Sequence, residues 1–162
     1  MRRLVPVVLA ISTLATLGAA APRFARHAHP DFSGAWNLDV SKSEGPMTPT
    51  SATLKVTQTD KAVTVDRTVN AQGMTQSRTS VYNLDGSTSK NTVNAMGTDV
   101  EFSSTVEWTG DVMVIKTTAP IGPGFSSTEK WTLSDDKKTL VIAGDAVIGP
   151  QTMSSKQTFA KQ

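Results

Sequence analysis

The sequence predicts an all-β fold: an antiparallel up-and-down β-barrel of about eight to ten short strands. Three observations predict it. In residues 99–108, Val100, Phe102, Val106 and Trp108 alternate with Asp99, Glu101, Thr105 and Glu107, so one face is apolar and the other meets water. Turn signals such as Asp85-Gly86, Gly110-Asp111 and Gly149-Pro150 recur between runs rich in Thr, Ser and Val, as successive hairpins require. Helical period is nowhere sustained, and its one candidate, residues 41–50, holds Pro46 and Pro49 and reads as a loop.

The chain opens with the three parts of a secretory signal over residues 1–20. Arg2 and Arg3 form the charged start, residues 4–17 are apolar, and residues 18–21 are small. Cleavage is expected after Ala20, since a cut after Ala21 would leave Pro22 first. The Arg pair lacks the longer flanking pattern of a twin-arginine signal, which points to the general secretory route of a bacterium and a periplasmic or secreted protein. The apolar run is short for a bilayer span, and no later segment is long and apolar enough. Residues 21–31, with Pro22, Pro30 and scattered Arg and His, are expected to be a flexible leader before a barrel domain over 32–162.

The whole chain carries 16 basic and 14 acidic residues, a net charge of +2. Arg2 and Arg3 leave with the signal, which brings the basic count down to the acidic one. No electrostatic case for nucleic acid remains. With no cysteine, disulfides, a lipoprotein anchor, thiol chemistry and cysteine-held metal are excluded. About 140 mature residues suit one domain with a real core.

Strands are expected over 32–40, 52–58, 63–69, 75–84, 89–93, 99–108, 112–117, 125–133, 139–144 and 152–159, in a simple meander. The first has Phe32, Trp36 and Leu38 on one side at period 2. Asp60-Lys61 turns the second into the third, and residues 70–73 turn the third into the fourth. Asp85-Gly86 and then residues 95–97 bound the weak fifth strand. Gly110-Asp111 joins the sixth and seventh, Gly122-Pro123-Gly124 breaks before the eighth, and residues 134–138 and Gly149-Pro150 supply the last two turns.

The inner faces are interrupted near mid-strand. Ser104 lies between Phe102 and Val106, Ser127 and Glu129 between Phe125 and Trp131, and Ser155 and Gln157 between Met153 and Phe159. Arg67 falls in line with Val63 and Val65. Dry burial of an unsatisfied neutral group costs roughly 1–3 kcal/mol and of an unpaired charge several. Polar centres between apolar ends therefore suggest a barrel with a mixed cavity. A one-residue slip in register would instead put Arg67 and Glu129 in solvent. Trp108 and Trp131 offer flat surfaces on which a ligand stacks, or barrel-end packing.

The Phe32-x-Gly34-x-Trp36 run resembles the opening strand of calycins, the lipocalins and the fatty-acid-binding-protein group. The meander over residues 32–160, ending near Phe159, is similar too. The resemblance implies an up-and-down barrel carrying a small, usually apolar ligand. It also implies a first-strand Trp closing one end beneath a basic residue of the last strand, here Lys156 or Lys161. Two features depart from the group. Residues 41–50 are too short and Pro-broken for the helical pair of the fatty-acid binders. Gln157-Thr158-Phe159 stands where many of them hold a ligand carboxylate with Arg-x-Tyr.

No residue set argues for catalysis. Ser87-x-x-Lys90 follows a hairpin turn and Ser127-x-x-Lys130 lies on a strand, where that motif has no helix start to work from. His27-x-His29-x-Asp31 has metal-ligand types but lacks a fourth donor, and no metal or other cofactor is expected. With both histidines before the barrel, a Ser-His-Asp triad lacks its base. Asp135-Asp136 sits with Lys137-Lys138 in a turn and reads as solvated. An outer-membrane barrel fits poorly with one Tyr and strongly charged faces. The expectation is an exported, monomeric binding protein that holds an apolar or amphipathic small molecule. Arg67, Ser104, Ser127, Glu129, Ser155, Gln157, Trp108 and Trp131 would line the site. The alternative is a structural or interaction domain of the bacterial envelope with a filled core.

Overall fold

The computed structural model describes residues 29–162 except Met47 and Met96; the expected signal and most of the expected leader lie outside the described residues. Ten strands follow one another: β1 Gly34–Leu38, β2 Ser51–Gln58, β3 Ala62–Ala71, β4 Met74–Asn83, β5 Ser89–Ala95, β6 Thr98–Thr109, β7 Val112–Ala119, β8 Phe125–Leu133, β9 Thr139–Ile148 and β10 Gln151–Lys161. They form one antiparallel sheet in the order β4-β3-β2-β1-β10-β9-β8-β7-β6-β5. The first and last strands pair, with Trp36 opposite Lys161 and Leu38 opposite Phe159. The sheet curls until its two edges, β4 and β5, face each other. The result is a meandering barrel closed everywhere except along that seam.

The differences in strand length have local causes. β1 is shorter than its apolar pattern suggests because side chains replace the ladder at residues 32–33. Phe32 donates its N–H to Gln58 Oε1 at 3.1 Å, and Ser33 Oγ accepts the Gln58 N–H at 3.0 Å. The expected loop after β1 opens with a 3₁₀ turn, Val40–Lys42, and Glu44 then makes both backbone bonds with Lys156, at 2.7 and 2.8 Å. β9 runs four residues past Gly144, where the sequence suggested a stop. A Cβ at Gly144 would lie 2.7 Å from the Thr128 carbonyl and 3.3 Å from Glu129 Cα. The glycine marks a close strand approach, which is one of its proper uses inside a sheet.

One end of the barrel is a packed core. Phe32, Trp36, Val63, Met113, Trp131, Leu140 and Phe159 are wholly inaccessible, and Leu54, Val56, Val65, Val106, Ile115 and Ile142 nearly so. Each such large side chain contributes about 1.5–3 kcal/mol of burial. Phe32 meets Trp131 edge-on with centroids 5.9 Å apart. The Gly-x-Trp run closes this end. Trp36 Nε1 donates to the Phe32 carbonyl at 3.0 Å, and Lys161 Nζ stands 5.2 Å from the Trp36 ring centroid, a cation–π distance. Gly34 makes this possible: its φ is +142°, and a Cβ there would sit 2.8 Å from the Lys161 stem. Lys161 is thus the basic cover, while Lys156 turns outward to Glu44 at 3.8 Å. His29 stacks on Trp108 with centroids 4.0 Å apart and planes 8° from parallel.

Candidate ligand-binding site

Away from the packed end the same strands turn polar. Arg67 follows Val63 and Val65 along β3, and Glu129 and Ser127 follow Trp131 back along β8. The register settles their direction: Glu129 pairs with Ile115 on one side and Gly144 on the other, and Ile115 is buried in the core. Arg67 and Glu129 therefore point inward, from opposite walls. Their side chains meet at 3.5 Å, with 14% and 25% of their surfaces exposed. The Trp131 indole donates to the same carboxylate oxygen at 2.9 Å. Burial pushes the Glu129 carboxyl up, but Arg67, the Trp131 N–H and Arg78 outweigh it and hold it below its ordinary value.

A cavity of about 140 Å³ opens over Glu129 and Arg78. Phe102 and Phe125 supply its apolar wall, edge to face at 5.7 Å. Ser104, fully buried, bonds Thr117 Oγ1 at 2.8 Å, and Ser80, Tyr82 and Asn91 add polar atoms. Burial, and then Glu129, raises the Tyr82 hydroxyl above its usual range, so it stays a protonated donor at neutral pH. A second space of about 580 Å³ follows the β4–β5 seam, lined by Arg67, Val69, Gln76, Ser77, Arg78, Val93 and Asn94. Arg78 and Val93 border both, so the cleft leads to the cavity.

The seam itself is held by side chains in place of a ladder. Asn91 Oδ1 accepts the Val81 N–H at 2.7 Å, and Asn91 Nδ2 donates to the Val81 carbonyl at 3.0 Å. Ser89 Oγ accepts the Asn83 N–H at 2.7 Å. One asparagine imitates a strand neighbour, satisfying two backbone groups that an open edge would leave to water.

Of the eight residues singled out in the sequence, Arg67, Ser104, Ser127 and Glu129 converge on the cavity and its cleft. Trp131 lies beneath them, buried in the core, and touches the site through its bond to Glu129. Trp108 is at the packed end under His29. Ser155, opposite Gly144 and so on the same face of the sheet as Glu129, lies outside the cavity lining and borders a groove of about 440 Å³ beside Glu44, Lys130 and Lys156. Gln157 pairs with Ile142 on β9.

Arg78, Tyr82 and Asn91 were not singled out. A two-residue turn on Gln72 and Gly73, both at positive φ (52° and 77°), sets the β3–β4 register. That turn puts Arg78 directly opposite Arg67 and Ser80 opposite Val65. That register places Arg78 and Tyr82; Asn91 lies on β5, across the seam, where no ladder carries the register. Like charges across a pair repel, and Glu129 offsets that repulsion. Burial and then Arg67 draw the Arg78 guanidinium below its ordinary value, yet by accessible surface the residue is exposed, at the cleft.

No protein-family model matches the sequence, and no curated protein matches it. A solved structure does: zebrafish ileal bile acid-binding protein complexed with cholic acid, at 16% identity and a TM-score of 0.54, over 81% of this chain and 98% of that one. Ten antiparallel strands in a nearly closed meander, Trp36 at the closed end beneath Lys161, and this likeness together give the chain a calycin-like barrel fold.

Proposed function

We propose that this chain is an exported small-molecule binding protein that holds an apolar or amphipathic ligand inside its barrel and leaves it chemically unchanged. The observation that carries the reading is the cavity over Glu129, continuous with the cleft that Arg67 borders along the β4–β5 seam. Polar groups inside a barrel are costly unless paired or wetted. Here they are gathered beside a phenylalanine wall, the usual mixture of a few oriented polar groups and apolar surface in a ligand site. The similar solved barrel, a bile acid-binding protein complexed with cholic acid, lends support of the same kind.

The experiment is native mass spectrometry on protein recovered from its own host, with Trp fluorescence read against lipophilic probes. A mass above that of the polypeptide, lost on organic extraction, is the expected result. The bare polypeptide mass together with no response to any probe overturns the reading and favours a filled envelope domain.

A further inference from the structure

The charges at the inner site do not balance. Arg67 and Arg78 stand opposite each other on β3 and β4, and Glu129 is the acidic residue that faces them. Arg67 is matched by Glu129 at 3.5 Å. Arg78 makes no ion pair or hydrogen bond among the described residues, yet it borders both the cavity and the cleft. The other side chains lining the cavity, Tyr82, Asn91, Ser80, Ser104, Thr117 and Ser127 among them, are neutral. One positive charge is left over at the mouth of the cavity, exposed to solvent and placed to make a charge-assisted bond with an incoming anion.

The cavity sets the size of the part of a ligand that enters it. A cavity of about 140 Å³ is close to the ~150 Å³ that takes a benzene-sized molecule. Its apolar wall is the Phe102–Phe125 edge pair, suited to a ring. We infer that the ligand is a compact monoanion: a ring-sized apolar body against Phe102 and Phe125, with one carboxylate or sulfonate paired to Arg78. Glu129 then acts as a specificity residue. By occupying Arg67 it limits the site to a single negative charge. This inference rests on the binding function proposed above.

Three planar probes of one shape test it: benzoate, neutral benzamide and cationic benzamidine, titrated into the purified full chain by calorimetry and ligand-observed NMR. Benzoate is expected to bind about tenfold or more tighter than benzamide, the difference one charge-assisted bond makes, and benzamidine to bind more weakly than either. Arg78→Gln, at the open cleft, should abolish the preference for benzoate over benzamide. Glu129→Gln should tighten benzoate severalfold by releasing Arg67, a gain that a purely structural ion pair does not produce. Equal binding of benzoate and benzamide, or a benzoate affinity indifferent to Arg78→Gln, overturns the inference. If the host protein carries a ligand that is neutral or cationic, the inference fails while the binding function stands; if it carries none and no probe binds, both fail.

Discussion

The two ends of the barrel are built from the same strands and hold opposite chemistry. Along β3 the inner face changes from Val63 and Val65 to Arg67; along β6 from Trp108 and Val106 to Ser104; along β8 from Trp131 to Glu129 and Ser127. Each change takes one inward step of two residues, about 7 Å. The packed end closes around Trp36, Trp131 and Phe159, all inaccessible to solvent. The polar end keeps a cavity and meets the one seam without a ladder. Stability is therefore concentrated away from the candidate site. The candidate-site end is held by a few specific bonds, each of which is open to a single substitution.

The largest test of that division is Trp131→Ala. It empties a fully buried site and also removes a donor from Glu129, so unfolding by urea should show a loss of about 3–5 kcal/mol. Next is Arg67→Ala, which leaves Glu129 partly buried without its main counter-charge. Breaking a fully buried pair costs about 3–5 kcal/mol; with the pair reached by solvent, about 2 kcal/mol is expected. The same pair has a pH signature. Glu129 is held below its ordinary 4.5 in the folded chain, so its contribution is full above that value and disappears as pH falls through the lower folded value. Urea midpoints of the wild type should therefore drop below pH 4.5 more steeply than those of Glu129→Gln.

Asn91→Ala sharpens the comparison, because it removes two bonds to Val81 and nothing from the core. A loss of about 1–2 kcal/mol is expected, with amide exchange accelerated at β4 and β5 and unaltered at Leu140 and Ile142. The smallest effect belongs to the outer wall. Lys116 and Glu107 form a 2.7 Å pair with half or more of each side chain exposed, and Lys116→Ala should change stability by less than about 0.5 kcal/mol. An effect as large as that of Arg67→Ala would break the contrast between inner and outer charges.

Most of the architecture was legible in the chain because a half-buried strand carries its own period. Residues 99–108 name both faces, and Asp85-Gly86 and Gly149-Pro150 punctuate the meander. The inward direction of Arg67, Ser104, Ser127 and Glu129 was legible for the same reason. Arg78 was missed because its neighbour across the sheet is set by the positive-φ turn at Gln72 and Gly73, and propensity does not locate such a turn to the residue. Gly144 looked like a strand end because glycine signals both a turn and a close approach; only the packed partner, Glu129, distinguishes them. The seam was not legible at all. An asparagine bonding the backbone of the facing edge strand leaves no periodic trace, and neither does His29 stacking on Trp108.

The central claim is that ligand binding belongs to the polar end and stability to the packed one. Hydrogen–deuterium exchange on protein recovered from its host, compared before and after organic extraction, tests it most directly. The predicted result is that extraction speeds exchange in β3, β4 and β5 around Arg67, Arg78 and Asn91 and leaves Leu140 and Ile142 as protected as before. Exchange that does not change anywhere, or that changes at the Trp36 end instead, would contradict it.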